Sequence, residues 1–103
     1  MAAIDVPRLV RLRRTAEAAA ASDPKIAGQG LIASSRRIIA ELQATLGQGD
    51  RRDEFDRLFA GDLESIGKPW GVQAIESQDR LRQIAEWLDE LIELIAIELS
   101  LGD

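Results

Sequence analysis

The sequence predicts an all-α fold, a small bundle of four helices with a long carboxyl-terminal helix, and three observations predict it. Apolar residues recur at three- and four-residue intervals along the whole chain, and no alternating stretch persists long enough for a strand. Aromatics are only 4%, with two Trp, two Phe and no Tyr, so Leu, Ile and Ala must fill the interior, a supply that suits helices better than sheets. Finally, clusters of Pro, Gly and Asp at "SDPK", "GQGD" and "GKPWG" cut the periodic pattern into four segments. At 103 residues the chain has enough material for one modest core, hence a single helical domain over 1–103.

The first helix is expected over 6–21. Asp5 can cap it, Pro7 sits in the opening turn where a missing amide proton costs nothing, and Leu9, Leu12 and Ala16 recur on one side. Pro24 then disfavours helical geometry in Asp23 and breaks the helix. The same residues start the second helix, over 24–46, with Asp23 or Ser22 as cap and Pro24 at the first position. Its apolar residues are Leu31, Ile32, Ile38, Ile39, Leu42 and Leu46. Gly28 and Gly30 within it cost about 1 kcal/mol each relative to Ala, which points to a loose first turn or a close helix crossing. The order GxxxxGK[ST] of a phosphate loop is absent.

"GQGD" ends that helix, with Gly47 or Gly49 able to take a left-handed geometry and Asp50 placed to cap the next. The third helix is expected over 51–66, with Phe55, Leu58, Phe59, Leu63 and Ile66 facing the core. "GKPWG" forms the last turn, in which Trp70 is expected to plug one end of the bundle. The fourth helix is expected over 72–101. At about 1.5 Å per residue it would span roughly 45 Å, longer than the ~33 Å diameter of a compact domain of this size, so it must elongate the bundle or project from it.

That last helix carries more apolar surface than one core requires. Advancing about 100° per residue places Leu81, Ile84, Leu88, Ile92, Ile95 and Leu99 within an arc of about 80°, the expected core stripe. Trp87, Leu94 and Leu101 follow at seven-residue intervals about 100° away, with Leu91 bridging the two groups and Ile97 beyond. A neighbouring helix could cover this second stripe. Alternatively, Trp87, Leu91, Leu94, Ile97 and Leu101 form a partner interface, which is the expectation adopted.

Composition narrows the chemistry. The chain has no Cys and no His, which removes thiolate chemistry, the commonest metal ligands and every imidazole-dependent triad. The acids Asp53, Glu54 and Asp56, then Asp62 and Glu64, then Glu86, Glu90 and Glu93 are expected to be solvated faces, since ferritin-like metal sites want Glu-x-x-His. No catalytic residue, metal or cofactor is therefore expected, and the protein is expected not to be an enzyme. A fraction of 46% apolar and 30% charged residues is that of a folded soluble chain. No secretory leader or membrane-spanning stretch is legible, which points to the cytoplasm.

Net charge is −5, unevenly placed: residues 1–49 hold seven basic and four acidic side chains, residues 50–103 six and fourteen, giving +3 and −8. The two parts should attract each other within or between chains. Arg8, Arg11, Arg13, Arg14, Arg36 and Arg37 are the candidate contacts for phosphate or an acidic partner, although no aromatic is interleaved among them to stack bases. An acidic face on the last helix opposes lipid. Together these features predict a protein–protein interaction module (adaptor, chaperone-like factor or assembly subunit) that pairs with itself as a homodimer through its last helix and with another protein. The alternative is a small dimeric regulator that contacts nucleic acid through the Arg-rich first helix.

Overall fold

In the chain's first quarter, an Asp followed by Pro one or two residues later opens each helix. The computed structural model describes residues 4–60 and 69–101. Helix α1 spans Val6–Ala20, and the Asp5 carboxylate accepts the Arg8 amide at 3.2 Å. Helix α2 spans Pro24–Leu46, capped by Asp23, whose carboxylate accepts the Lys25 amide at 2.9 Å. Both caps satisfy amides that the first helical turn leaves without backbone partners.

Gly47 and Gly49, with φ of 68° and 143°, reverse the chain after α2, in backbone regions that side chains other than glycine's rarely enter. Helix α3 spans Asp50–Phe55 and widens into a π-helical turn over Asp56–Ala60. Asp50 is its first residue and not its cap; Gly49 holds the cap position without a side-chain bond. Arg52 fastens this corner: Nε donates to Asp56 at 2.9 Å, while Nη1 donates to the Gln43 and Gly47 carbonyls at 3.1 and 3.4 Å. A cation here meets the carbonyl end of α2, where the helix dipole favours positive charge. Gln43 Nε2 also donates to Asp56 at 2.9 Å, tying α2 to the π turn.

Helix α4 spans Trp70–Leu101, 32 residues, beginning two residues earlier than expected. The Trp70 side chain, Leu63, Ile66, Asp62, Glu64 and the start of "GKPWG" lie outside the described residues. Two contacts fix α1 antiparallel to α4. Gln78 Nε2 donates to the Ala20 and Ser22 carbonyls, each at 2.8 Å, and Arg13 meets Asp89 at 2.8 Å. Helix α2 runs parallel to α4, from Gly28 beside Ala74 at one end to the α2–α3 corner at the other, where Arg51 meets Glu98 at 2.8 Å. The body is elongated, 51 × 23 × 16 Å, so the length of α4 sets the length of the molecule.

The core is where α1, α2 and α4 meet. Leu9, Ala16, Ile38, Leu42, Leu81, Ile84 and Leu88 are fully shielded from solvent, with Leu91 and Ile95 continuing the α4 side. Leu99 departs from the expected core stripe: it is 66% exposed. The pairing of Arg13 with Asp89 carries the start of α1 to the level of about residue 96, because both helices rise about 1.5 Å per residue. Beyond that level α1 offers nothing to cover α4.

The two helical glycines have different surroundings. A Cβ on Gly28 would lie 3.9 Å from Ala74 Cβ, ordinary packing distance, so Gly28 marks the α2–α4 crossing; a Cβ on Gly30 would meet nothing within 4 Å. Gly30→Ala should therefore raise stability by about 0.5–1 kcal/mol, the backbone-entropy difference between the two residues in a helix. Urea titration followed by circular dichroism measures it, and a loss of stability would mean that Gly30 has a packing role.

Candidate interaction surface

The second apolar stripe of α4 is divided between the inside and the outside of the molecule. Its first half is used internally. Trp87 packs against Phe55 and Phe59, with ring centroids 5.4 and 6.3 Å away and tilted or edge-on geometry. Its indole Nε1 donates to Glu54 at 3.0 Å. Leu91 is 5% exposed within the core. Neither residue is fully exposed on the outer surface, because α3 and its π turn meet Trp87 and Leu91 belongs to the buried core cluster. The covering-helix alternative thus describes the stripe as far as Leu91.

The π turn also explains the position of Leu58, which was expected in the core but is 53% exposed. A wider i→i+5 turn advances less per residue than an α-helix. Phe55 and Phe59 stay on one side and stack with centroids 5.2 Å apart, while Leu58 falls outside their arc.

The second half of the stripe faces solvent. Leu94, Ile97 and Leu101 are 54%, 49% and 81% exposed. At about 100° per residue they share an arc of about 60°. Leu99 adds apolar surface on the other side of the same turns. One edge of the arc carries the Arg51–Glu98 ion pair, in which Arg51 Nη2 donates to both carboxylate oxygens, at 2.8 and 3.0 Å. Toward the amino terminus the same outer face becomes acidic through the exposed Glu86 and Glu90. Sequence periodicity located this stripe but could not divide it, since the dividing element is the short α3.

A second apolar area lies at the opposite end. There Ile26, Ile75 and Val72 are exposed beside a shallow groove of about 800 Å³ lined by Pro24–Gly30, Gly71 and Ala74. Its glycines belong to helices, and among the described residues Lys25 is the only charged one lining it, so the arrangement lacks the converging loop amides of a phosphate cradle.

The basic residues do not act as one set. Of the six candidate arginines, Arg13 is the one that meets α4 among the described residues, through Asp89, with Glu17 3.8 Å away on its own helix. Arg8, Arg11, Arg14, Arg36 and Arg37 are exposed and form no salt bridge among the described residues. Arg11 and Arg14 stand on the outer face of α1. Arg36 and Arg37 are adjacent, so about 100° of helical rotation separates them on α2. The expected pairing of the first helix with the acidic last helix therefore rests on a single contact within the chain.

Among the described residues, no group of three or more His, Cys, Asp or Glu side chains converges as a metal site, and no helix is long and apolar enough to cross a membrane. No family model matches the chain, and neither the curated proteins nor the solved structures contain a match, so the functional reading rests on the exposed surfaces of this fold.

Proposed function

We propose that this protein is a non-enzymatic interaction module that self-associates as a dimer through the last turns of α4. The observation that carries the reading is the set of exposed Leu94, Ile97 and Leu101 on a helix whose earlier turns are well buried. Six half-exposed side chains from two copies would contribute about 6–12 kcal/mol gross on association. The loss of overall freedom costs about 4–15 kcal/mol. Only where the gain is near its upper end and the cost near its lower end does the difference reach about 8 kcal/mol, a micromolar dimer, so any association is reversible and micromolar or weaker, suited to an adaptor or assembly subunit that exchanges partners.

The unpaired arginines of α1 give a second reading, a regulator that contacts phosphates. A net charge of −5 and the acidic outer face of α4 oppose the approach of a polyanion, so self-association is preferred. Light scattering across micromolar to millimolar concentrations tests it. The mass should rise toward twice the monomer, and Leu94→Glu with Ile97→Glu should abolish the rise while helicity is retained. A chain that is monomeric throughout, or a dimer indifferent to both substitutions, would overturn the proposal.

A further inference from the structure

Resting on that self-association, we infer that the two copies cross antiparallel, each α4 laid against the other with the twofold axis passing beside Ile97. Ile97 lies between Leu94 and Leu101 along the stripe, so an antiparallel crossing there sets Leu94 of one copy against Leu101 of the other and Ile97 against itself. This arrangement uses every residue of the exposed arc twice, as an isologous interface requires.

The charges around the arc favour a second copy in this orientation. On one edge, Arg51 and Glu98 already neutralise each other at 2.8 Å, so that edge presents no net charge to its own copy. On the amino-terminal side, Glu86 and Glu90 continue the same outer face. A parallel pairing in register would lay these carboxylates beside their equivalents along the joint. In the antiparallel crossing the two Glu90 side chains stand about 21 Å apart along the helices, and those of the exposed Glu93 about 12 Å apart. Like-charge repulsion is largely screened at those separations in physiological salt.

The absence of Cys from the chain makes the arrangement directly testable by single-cysteine cross-linking. A disulfide requires Cα atoms within about 7 Å, which the crossing point satisfies. The two Leu94 positions would be offset by about 9 Å along the helices, and the two Glu90 positions by far more. After mild oxidation, Ile97→Cys should double in mass on a non-reducing gel. Leu94→Cys and Leu101→Cys should each remain single when alone and link when mixed, and Glu90→Cys should remain single. Circular dichroism of each variant confirms the fold, and light scattering under reducing conditions reports self-association separately.

A dimer by scattering in which Leu94→Cys or Glu90→Cys links to itself is parallel, which overturns the inference and leaves self-association standing. Efficient linkage of Ile97→Cys to Ile26→Cys would place the α4 tip in the groove at the other end of a neighbouring copy. That head-to-tail contact also overturns the inference. A monomer by scattering overturns both proposals.

Discussion

Phe55→Ala should destabilise the protein by about 3–5 kcal/mol, the range for removing a fully buried aromatic ring. Phe55 is completely shielded and lies 5.2 Å from Phe59 and 5.4 Å from Trp87, ring to ring. Its loss empties the middle of the only aromatic cluster among the described residues. Domains of this size are held together by about 5–15 kcal/mol in total, so the variant should melt some 12–40 °C lower, at about 4–8 °C per kcal/mol. Thermal circular dichroism measures the shift. In a Trp70→Phe background, Trp87 emission should move to longer wavelength well below the main transition if α3 detaches first, since α3 is six residues long and too short to persist as an isolated helix. A change below about 1 kcal/mol would show that the cluster is not what holds α3 to α4.

The second large effect is a contrast between two leucines on one stripe. Leu88→Ala should cost about 2–5 kcal/mol, whereas Leu99→Ala should change stability by less than about 0.5 kcal/mol. Eleven residues separate them, three turns of an α-helix, so their helical faces nearly coincide. Leu88 is fully buried and Leu99 is 66% exposed. Urea denaturation of both variants, compared at equal slope, decides the matter. Comparable losses would mean that the end of α4 is covered within the monomer, which would also remove the basis for association there.

The same pair shows what the sequence can and cannot reveal. Period and phase are properties of one helix, so the core faces of α1, α2 and α4 were legible from Leu9, Leu12, Leu42, Leu81 and Leu88. So were the helix starts at Asp5 and Asp23 and the turn at Gly47 and Gly49. Axial overlap is a property of two helices. It depends on where α1 begins relative to α4, and no spacing within α4 encodes that. Trp87 and Leu91, expected at a partner interface, have cover within the chain for a related reason. That of Trp87 comes from α3, which widens into a π turn at Asp56 and keeps Phe55 and Phe59 together at the expense of Leu58, while Leu91 belongs to the buried core. A four-residue spacing of aromatics beside Trp87-sized apolar surface was visible in the sequence, but the change of helical pitch was not. Among the arginines, charge balance anticipated attraction between the two halves of the chain, yet only side-chain reach and level decide which one pairs. Arg13 has Asp89 at its level; Arg11 and Arg14 point the other way.

The order in which the helices appear along the chain has a consequence for how the protein is made. Helices α1 and α2 bury their apolar faces chiefly against α4, and the Arg13–Asp89 contact joins residues 76 positions apart. A ribosome adding about 5–20 residues per second would leave those faces uncovered for several seconds while α3 and α4 are still being synthesised. Closure then depends on contacts between sequence-distant residues, which slows folding relative to a bundle of locally paired helices. The nascent chain is therefore most vulnerable to sticking to its neighbours before its last helix emerges, and a pause in translation within α4 should lower the yield of native protein more than a pause after it.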